Sequence, residues 1–165
     1  MAEAFNDLTL SADREARYAE VAAEIASVLD GEPNLTARMA TVASMLAASF
    51  DHYFWTGFYV VDPDKRDELV VGPYQGTLGC LRIAFGRGVC GAAAATGQTQ
   101  LVPDVHAFPG HIACDSRSQS EVVVPVFGPD GALIAVLDVD SDQPAAFDAV
   151  DARWLEQILA SVFSR

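Results

Sequence analysis

The chain changes texture near residue 54. Before it, apolar positions recur every three or four residues; after it, they alternate or run together in short blocks bounded by glycine, proline and aspartate. The first pattern places Tyr18, Val21, Ile25 and Val28 on one face and predicts a helix over 12–29, with Ser11 as cap and Gly31 past its end. Leu35, Met39, Val42 and Leu46 share a face of a second helix, 35–48, behind the capping residue Asn34. The second pattern predicts strands. "FWTGFYVV" and "ELVVGPYQG" flank the turn "DPDKRD", and "EVVVPVF" and "ALIAVLDVD" flank "GPDG"; each pair reads as a hairpin. Pro125 inside the third strand points to an edge or a bulge.

Between the hairpins, "GRGVCGAAAATGQ" predicts a turn, a short helix from about Val89 to Thr96 and a glycine stop at Gly97. "TQLVPDV" is a short extended piece. "FDAVDARWLEQILASVF" predicts a closing helix, with Asp148 and Asp151 at capping-box spacing. Two hairpins between helices make an antiparallel sheet with helices packed on one face, an α+β architecture. The 165 residues are read as one domain, 1–165, able to bury a core without disulfide help.

Charge narrows the partners. With 10 basic and 23 acidic residues the net charge is −13, which repels phosphate backbones and anionic lipid. Neither nucleic acid nor a membrane is therefore an expected partner. No apolar run reaches the ~18 residues of a membrane span, and "MAEAFNDLTL" lacks the basic and apolar regions of a signal peptide. The expected compartment is the cytoplasm, where thiols stay reduced. Three cysteines, Cys80, Cys90 and Cys114, are an odd number with no C-x-x-C pair, and do not read as a structural disulfide framework.

Candidate chemistry concentrates in residues 102–126, "VPDVHAFPGHIACDSRSQSEVVVPV". His106, His111 and Cys114 have the spacing H-x4-H-x2-C, and Cys80 or Cys90 would complete a four-ligand zinc set; the spacing matches no common finger or ribbon. Loop packing is the simpler reading of either histidine. Cys90, on the apolar helix, reads as a small buried residue. Cys114 does not, because Asp115, Ser116 and Arg117 follow it; it is a candidate nucleophile. Cys80 lies in a second glycine-rich loop. Asp138 and Asp140 alternate along one strand end and so face one way, and Glu121 opens the strand expected to pair with it. Acids sharing one face call for something positive between them, or for a shared proton.

Together, "GFYV", "GPYQGTLGC", the stretch from "GRGVC" to "EVVVPV", and "LDVDS" resemble the free methionine-(R)-sulfoxide reductases, a family of GAF-domain enzymes. The similarity spans roughly residues 10–163, and "DVHAFPGHIACDSRSQSE" with the spacing C-x9-C-x23-C is its specific part. The resemblance implies a GAF-like sheet, free methionine-(R)-sulfoxide as substrate, and no metal or organic cofactor. It implies that Cys114 attacks, that Cys80 resolves the sulfenic acid as a disulfide, and that Cys90 is an accessory thiol. Trp55 and Tyr59 would line the pocket, and Glu121, Asp138 and Asp140 would be its acidic cluster. Thioredoxin or a similar dithiol would recycle the enzyme, and a homodimer is implied by analogy alone. The rival reading is a GAF module that senses a small molecule without turnover.

Overall fold

A computed structural model describes Phe5, residues 9–112 and residues 114–164. Residues 1–4, 6–8, 113 and 165 lie outside it, and with them most of the N-terminal stretch read for a leader and Ala113 of the cysteine loop. Among the described residues no helix is long and apolar enough to cross a membrane.

Two helices come first, α1 (Arg14–Val28) and α2 (Leu35–Ser49). Asn34 caps α2 as expected, its side chain accepting from Ala37 N–H. The cap of α1 is Asp13, not Ser11. Ser11 instead gives its backbone N–H to Glu20 at 2.9 Å, which fixes the chain two residues short of the helix. The strands follow: β1 (Trp55–Asp62), β2 (Lys65–Gln75) and β3 (Arg82–Ala84), then helix α3 (Gly88–Thr96), β4 (Gln100–Val102), β5 (Ser120–Phe127) and β6 (Leu133–Ser141). Helix α4 (Ala149–Phe163) closes the chain behind a complete Asp148–Asp151 capping box. Gly97 stops α3 in the left-handed conformation, φ 67°, where glycine carries no Cβ penalty.

The six strands form one antiparallel sheet in the order β3-β2-β1-β6-β5-β4. Two features differ from expectation. The polar residues Lys65–Asp67 belong to β2, so the first turn is tighter than "DPDKRD", and β3, only three residues long, was not foreseen. Pro125 is accommodated because β4 pairs only with Glu121–Val123; beyond Val123 that side of β5 is an edge.

Period 2 gives the sheet two apolar faces. Phe58, Val122, Val124, Ala135, Leu137 and Val139 pack with α1, α2 and α4. On the other face Trp55, Tyr59, Leu69, Val123 and Val136 pack with α3 and the loops around it. The long helices thus share one face, as expected, whereas the short helix covers the opposite one.

Asp151 ties the first layer together. Its fully buried carboxylate accepts from Arg14 Nη1 (2.9 Å) and Tyr18 Oη (2.6 Å), and His52 Nε2 lies at 3.0 Å. Burial alone would raise its pKa; the bonds from His52, Tyr18 and the Asp148 N–H, with the charge of Arg14, outweigh that and hold it below the usual carboxylate range.

Candidate active site

On the α3 face, strand register builds a small grid. Asp140 lies between Trp55 on β1 and Glu121 on β5, and Asp138 lies between Gly57 and Val123. Same-face neighbours on adjacent strands stand roughly 5 Å apart. The sheet therefore gathers Glu121, Asp138 and Asp140 beside Trp55, with Tyr59 two positions beyond Gly57 along β1. Helix α3 lowers Cys90 onto them. These groups, with Gly79, His111, Cys114 and Ser118, line a cavity holding about 550 Å³ of empty space, its open mouth included.

Glycine shapes the aromatic wall. A Cβ on Gly57 would lie 2.2 Å from the Tyr74 Cβ, and its absence lets Tyr74 approach and stack on Trp55, ring centroids 5.0 Å apart. β2 carries an additional residue at Gly72–Pro73 opposite Phe58, and this bulge re-aims the strand end that leads to Tyr74. Trp55 also stacks on Tyr59 at 5.7 Å and donates its indole N–H to the Thr77 carbonyl, 2.8 Å.

Two loops close the mouth. The β2–β3 loop carries Cys80, and the loop before β5 carries Cys114. The two cysteines are joined as a disulfide, Cα atoms 5.7 Å apart across 34 positions of sequence. Cys114 is exposed and Cys80 half-buried. A second tie runs beside the bridge: Thr77 Oγ1 donates to Asp115 Oδ2 at 2.8 Å. Asp115 also accepts from Arg117 Nε and Nη2, which, with Thr77, hold its carboxyl well below the usual range. Arg117 in turn lies over the Phe54 ring, 4.9 Å from its centroid.

The cavity floor is electrostatically tense. Glu121, Asp138 and Cys90 are each about 5 % exposed, and Asp140 lies partly buried at the edge. Burial, then the charges of Asp138 and Asp140, pushes Glu121 well above the carboxylate range; burial, then Asp138, does the same to Asp140. Asp138 is raised less, because Glu121, Cys90 and Asp140 oppose its burial. Asp138 Oδ1 has no hydrogen-bond partner. Burial and the three acids push the Cys90 thiol well up, so it is a poor nucleophile. Burial and then Asp138 raise the Tyr59 phenol, which stays a donor.

The zinc set considered from spacing is not assembled, since Cys114 is joined to Cys80. His111 is instead a member of the acidic site, its Nε2 3.7 Å from Glu121 Oε1, and burial followed by His106 lowers its pKa. The sequence pattern does not assign His111, Phe54, Ser118 or Gly79 to the site. For His111 the available signal was its place in the loop that carries Cys114.

This arrangement, an antiparallel sheet with the long helices on one face and a cavity beneath the short helix on the other, is a GAF-type fold. The chain belongs to the GAF-domain family, which matches residues 31–162. Among its relatives are two proteins named free methionine-R-sulfoxide reductase. The one from Saccharomyces cerevisiae is 41 % identical over 78 % of this chain and 74 % of its own length. The one from Escherichia coli is 39 % identical over 88 % and 86 %. An X-ray structure of the free methionine-R-sulfoxide reductase from Neisseria meningitidis, in complex with its substrate, is similar with a TM-score of 0.89. It is 49 % identical, over 95 % of this chain and 93 % of that one.

Proposed function

We propose that this chain is an oxidoreductase that reduces free methionine-(R)-sulfoxide to methionine with its own thiols. The observation that carries the reading is the Cys80–Cys114 bridge at the mouth of a cavity floored by three acids and walled by Trp55. The names of the relatives support the same substrate.

The reaction begins with the bridge open. The Cys114 thiolate attacks the sulfoxide sulfur. The sulfoxide oxygen must take a proton, and Glu121 and Asp140, whose raised pKa values keep protons on them, supply it. Oxygen passes to Cys114, methionine leaves with the electron pair, and Cys114 remains as a sulfenic acid. Cys80 condenses with it; water departs and the disulfide forms. An external dithiol, of which thioredoxin is the expected kind, then takes over the disulfide by exchange and restores both thiols.

Asp138, the least raised of the acids and with Oδ1 unpartnered, holds the substrate's α-ammonium. That is the source of selection for the free amino acid, because a peptide nitrogen carries no charge. Trp55 and Tyr59 pack on the S-methyl end. Cys90 stays a neutral thiol on the floor.

The test is NADPH oxidation with thioredoxin, thioredoxin reductase and racemic free methionine sulfoxide. Consumption is expected to stop near half of the sulfoxide. No turnover with any dithiol, despite measurable ligand binding, would transfer the chain to the sensing modules.

A further inference from the structure

The sulfur of Cys90 has no part in the chemistry above, yet it is aimed at the acids. Cys90 Sγ, a Glu121 carboxylate oxygen and an Asp138 carboxylate oxygen all lie within 4.8 Å of one another. They come from three elements, α3, β5 and β6, and the latter two are fixed in register, Val123 opposite Asp138 and Glu121 opposite Asp140. All three residues are more than nine-tenths buried. A buried carboxylate oxygen without a partner is costly, and Asp138 Oδ1 is such an atom, in the lining of the cavity. An ammonium would satisfy the oxygens and leave the sulfur with only its hydrogen bond to Asp138. A metal ion would use all three.

We infer that the cavity floor is a binding site for a divalent cation of the zinc class, held by Cys90 Sγ, Glu121 and Asp138. A thiolate selects borderline and soft cations over Mg²⁺ and Ca²⁺. Tetrahedral zinc with bonds of roughly 2.0 Å to oxygen and 2.3 Å to sulfur spaces its donors by about 3.3–3.5 Å. The three atoms therefore reach that geometry by closing in through small side-chain rotations, with no change of register. The fourth position faces the cavity and is left to water. On binding, the ion displaces the thiol proton and any carboxyl proton to solvent, with no redox change. A resident cation fills the place assigned to the substrate's ammonium, so its role is to block the site and not to serve the reaction.

Cadmium is the probe, because a cadmium–thiolate bond has its own ultraviolet charge-transfer absorption. In the bridged protein Cys90 is the one free thiol, so the signal reports that residue. Titration with Cd²⁺ is expected to give saturable absorption at one ion per chain, displaced by Zn²⁺ and not by Mg²⁺. Cys90→Ser abolishes it, and Asp138→Asn or Glu121→Gln weakens it by about 10- to 100-fold. The Cys80→Ser/Cys114→Ser double variant, with Cys90 its remaining thiol and the mouth unbridged, binds in the same way. Absence of the signal from both the bridged protein and the double variant overturns the inference. So does a signal that survives Cys90→Ser, or unchanged affinity in both carboxamide variants. The inference rests on the geometry of the site described above. A negative reductase assay with positive cadmium binding removes the activity alone, and the reverse pair of results removes the cation site alone.

Discussion

Trp55 donates its indole N–H to the carbonyl of Thr77, 2.8 Å away, and so lies beneath the loop that carries Cys80. Glycine makes the contact close. Cβ atoms at Gly76 and Gly79 would fall 2.6 and 2.9 Å from atoms of the indole ring, and the latter 3.1 Å from Tyr59 Oη. The ring that walls the cavity therefore also sets the height at which Cys80 meets Cys114. Gly79→Ala is expected to lift the loop. Overpacking of this kind costs about 1–3 kcal/mol, so bridge formation is expected to slow about tenfold or more while the first turnover persists. Stopped-flow loss of the Cys114 sulfenic acid measures it; an unchanged rate would show that Trp55 does not seat the loop.

Cys114→Ser is expected to abolish methionine formation under any reductant, because Cys90 is buried and its thiol stays protonated. Cys80→Ser separates the steps. One equivalent of methionine per chain should still appear, leaving a sulfenic acid that dimedone traps, whereas thioredoxin-driven turnover falls steeply. Loss of the single turnover in Cys80→Ser would place Cys80 in the attack itself.

The tie between Thr77 and Asp115 joins the same two loops without sulfur. Thr77→Val removes the hydroxyl and keeps the shape. A hydrogen bond to a charged acceptor is stronger than a neutral one, and solvent screens it at this exposed position. The expected result is a bridge more easily reduced, by a few-fold in its exchange equilibrium with a dithiol. Equilibration against glutathione buffers reads this directly, and an unchanged midpoint would mean that the two loops meet without help from Thr77.

The shared face of Asp138 and Asp140 could be read from the chain, because strand alternation assigns faces without knowledge of the fold, whereas Trp55 and Tyr59 come from the family resemblance. Which residues become neighbours could not be read. Glu121 reaches Asp140 through a hairpin, but Trp55 reaches Asp140 only because β1 and β6, about 80 positions apart, pair in one sheet. β3 leaves no signal, since three residues carry too little pattern, and Lys65–Asp67 resemble a turn because an exposed strand end is polar. Asp151 was legible as a cap and not as the hub for Arg14, Tyr18 and His52, whose partners lie more than 90 positions away. Asp13 and Ser11 are both competent caps, and the Ser11 bond to Glu20 decided between them.

Asp151, the most deeply buried of the carboxylates held below their usual range, contributes to the acid limb of stability. Its folded pKa lies below the ordinary carboxylate value. The contribution is therefore present above the unfolded pKa of ~3.9 and is lost as pH falls through the folded value. Urea unfolding between pH 7 and pH 3 should show stability falling with acid. Asp151→Asn is expected to cost about 3 kcal/mol at pH 7, from the Arg14 and His52 contacts and half of the capping box, and to flatten that fall. An undiminished acid dependence in Asp151→Asn would assign it to other carboxylates.

Glu121 has the opposite sign. Burial and its acidic neighbours raise its folded pKa well above the usual value. Between the unfolded pKa of ~4.3 and that raised value the unfolded chain releases a proton that the folded chain retains, so stability falls as pH rises through the window. Glu121→Gln removes the ionisation and keeps the size. At pH 7 it is expected to stabilise the protein by about 1 kcal/mol or more, since each tenfold gain in proton affinity on folding corresponds to ~1.4 kcal/mol, and to raise Tm by about 2–4 °C for each kcal/mol. The same variant loses a proton donor beside the sulfoxide oxygen, and turnover should drop about 10²- to 10⁴-fold. Thermal unfolding and methionine formation are measured on the same preparation. A gain in Tm with the loss of activity identifies Glu121 as a strained working acid. A loss in both would make it a structural residue, and full activity would leave the proton with Asp140.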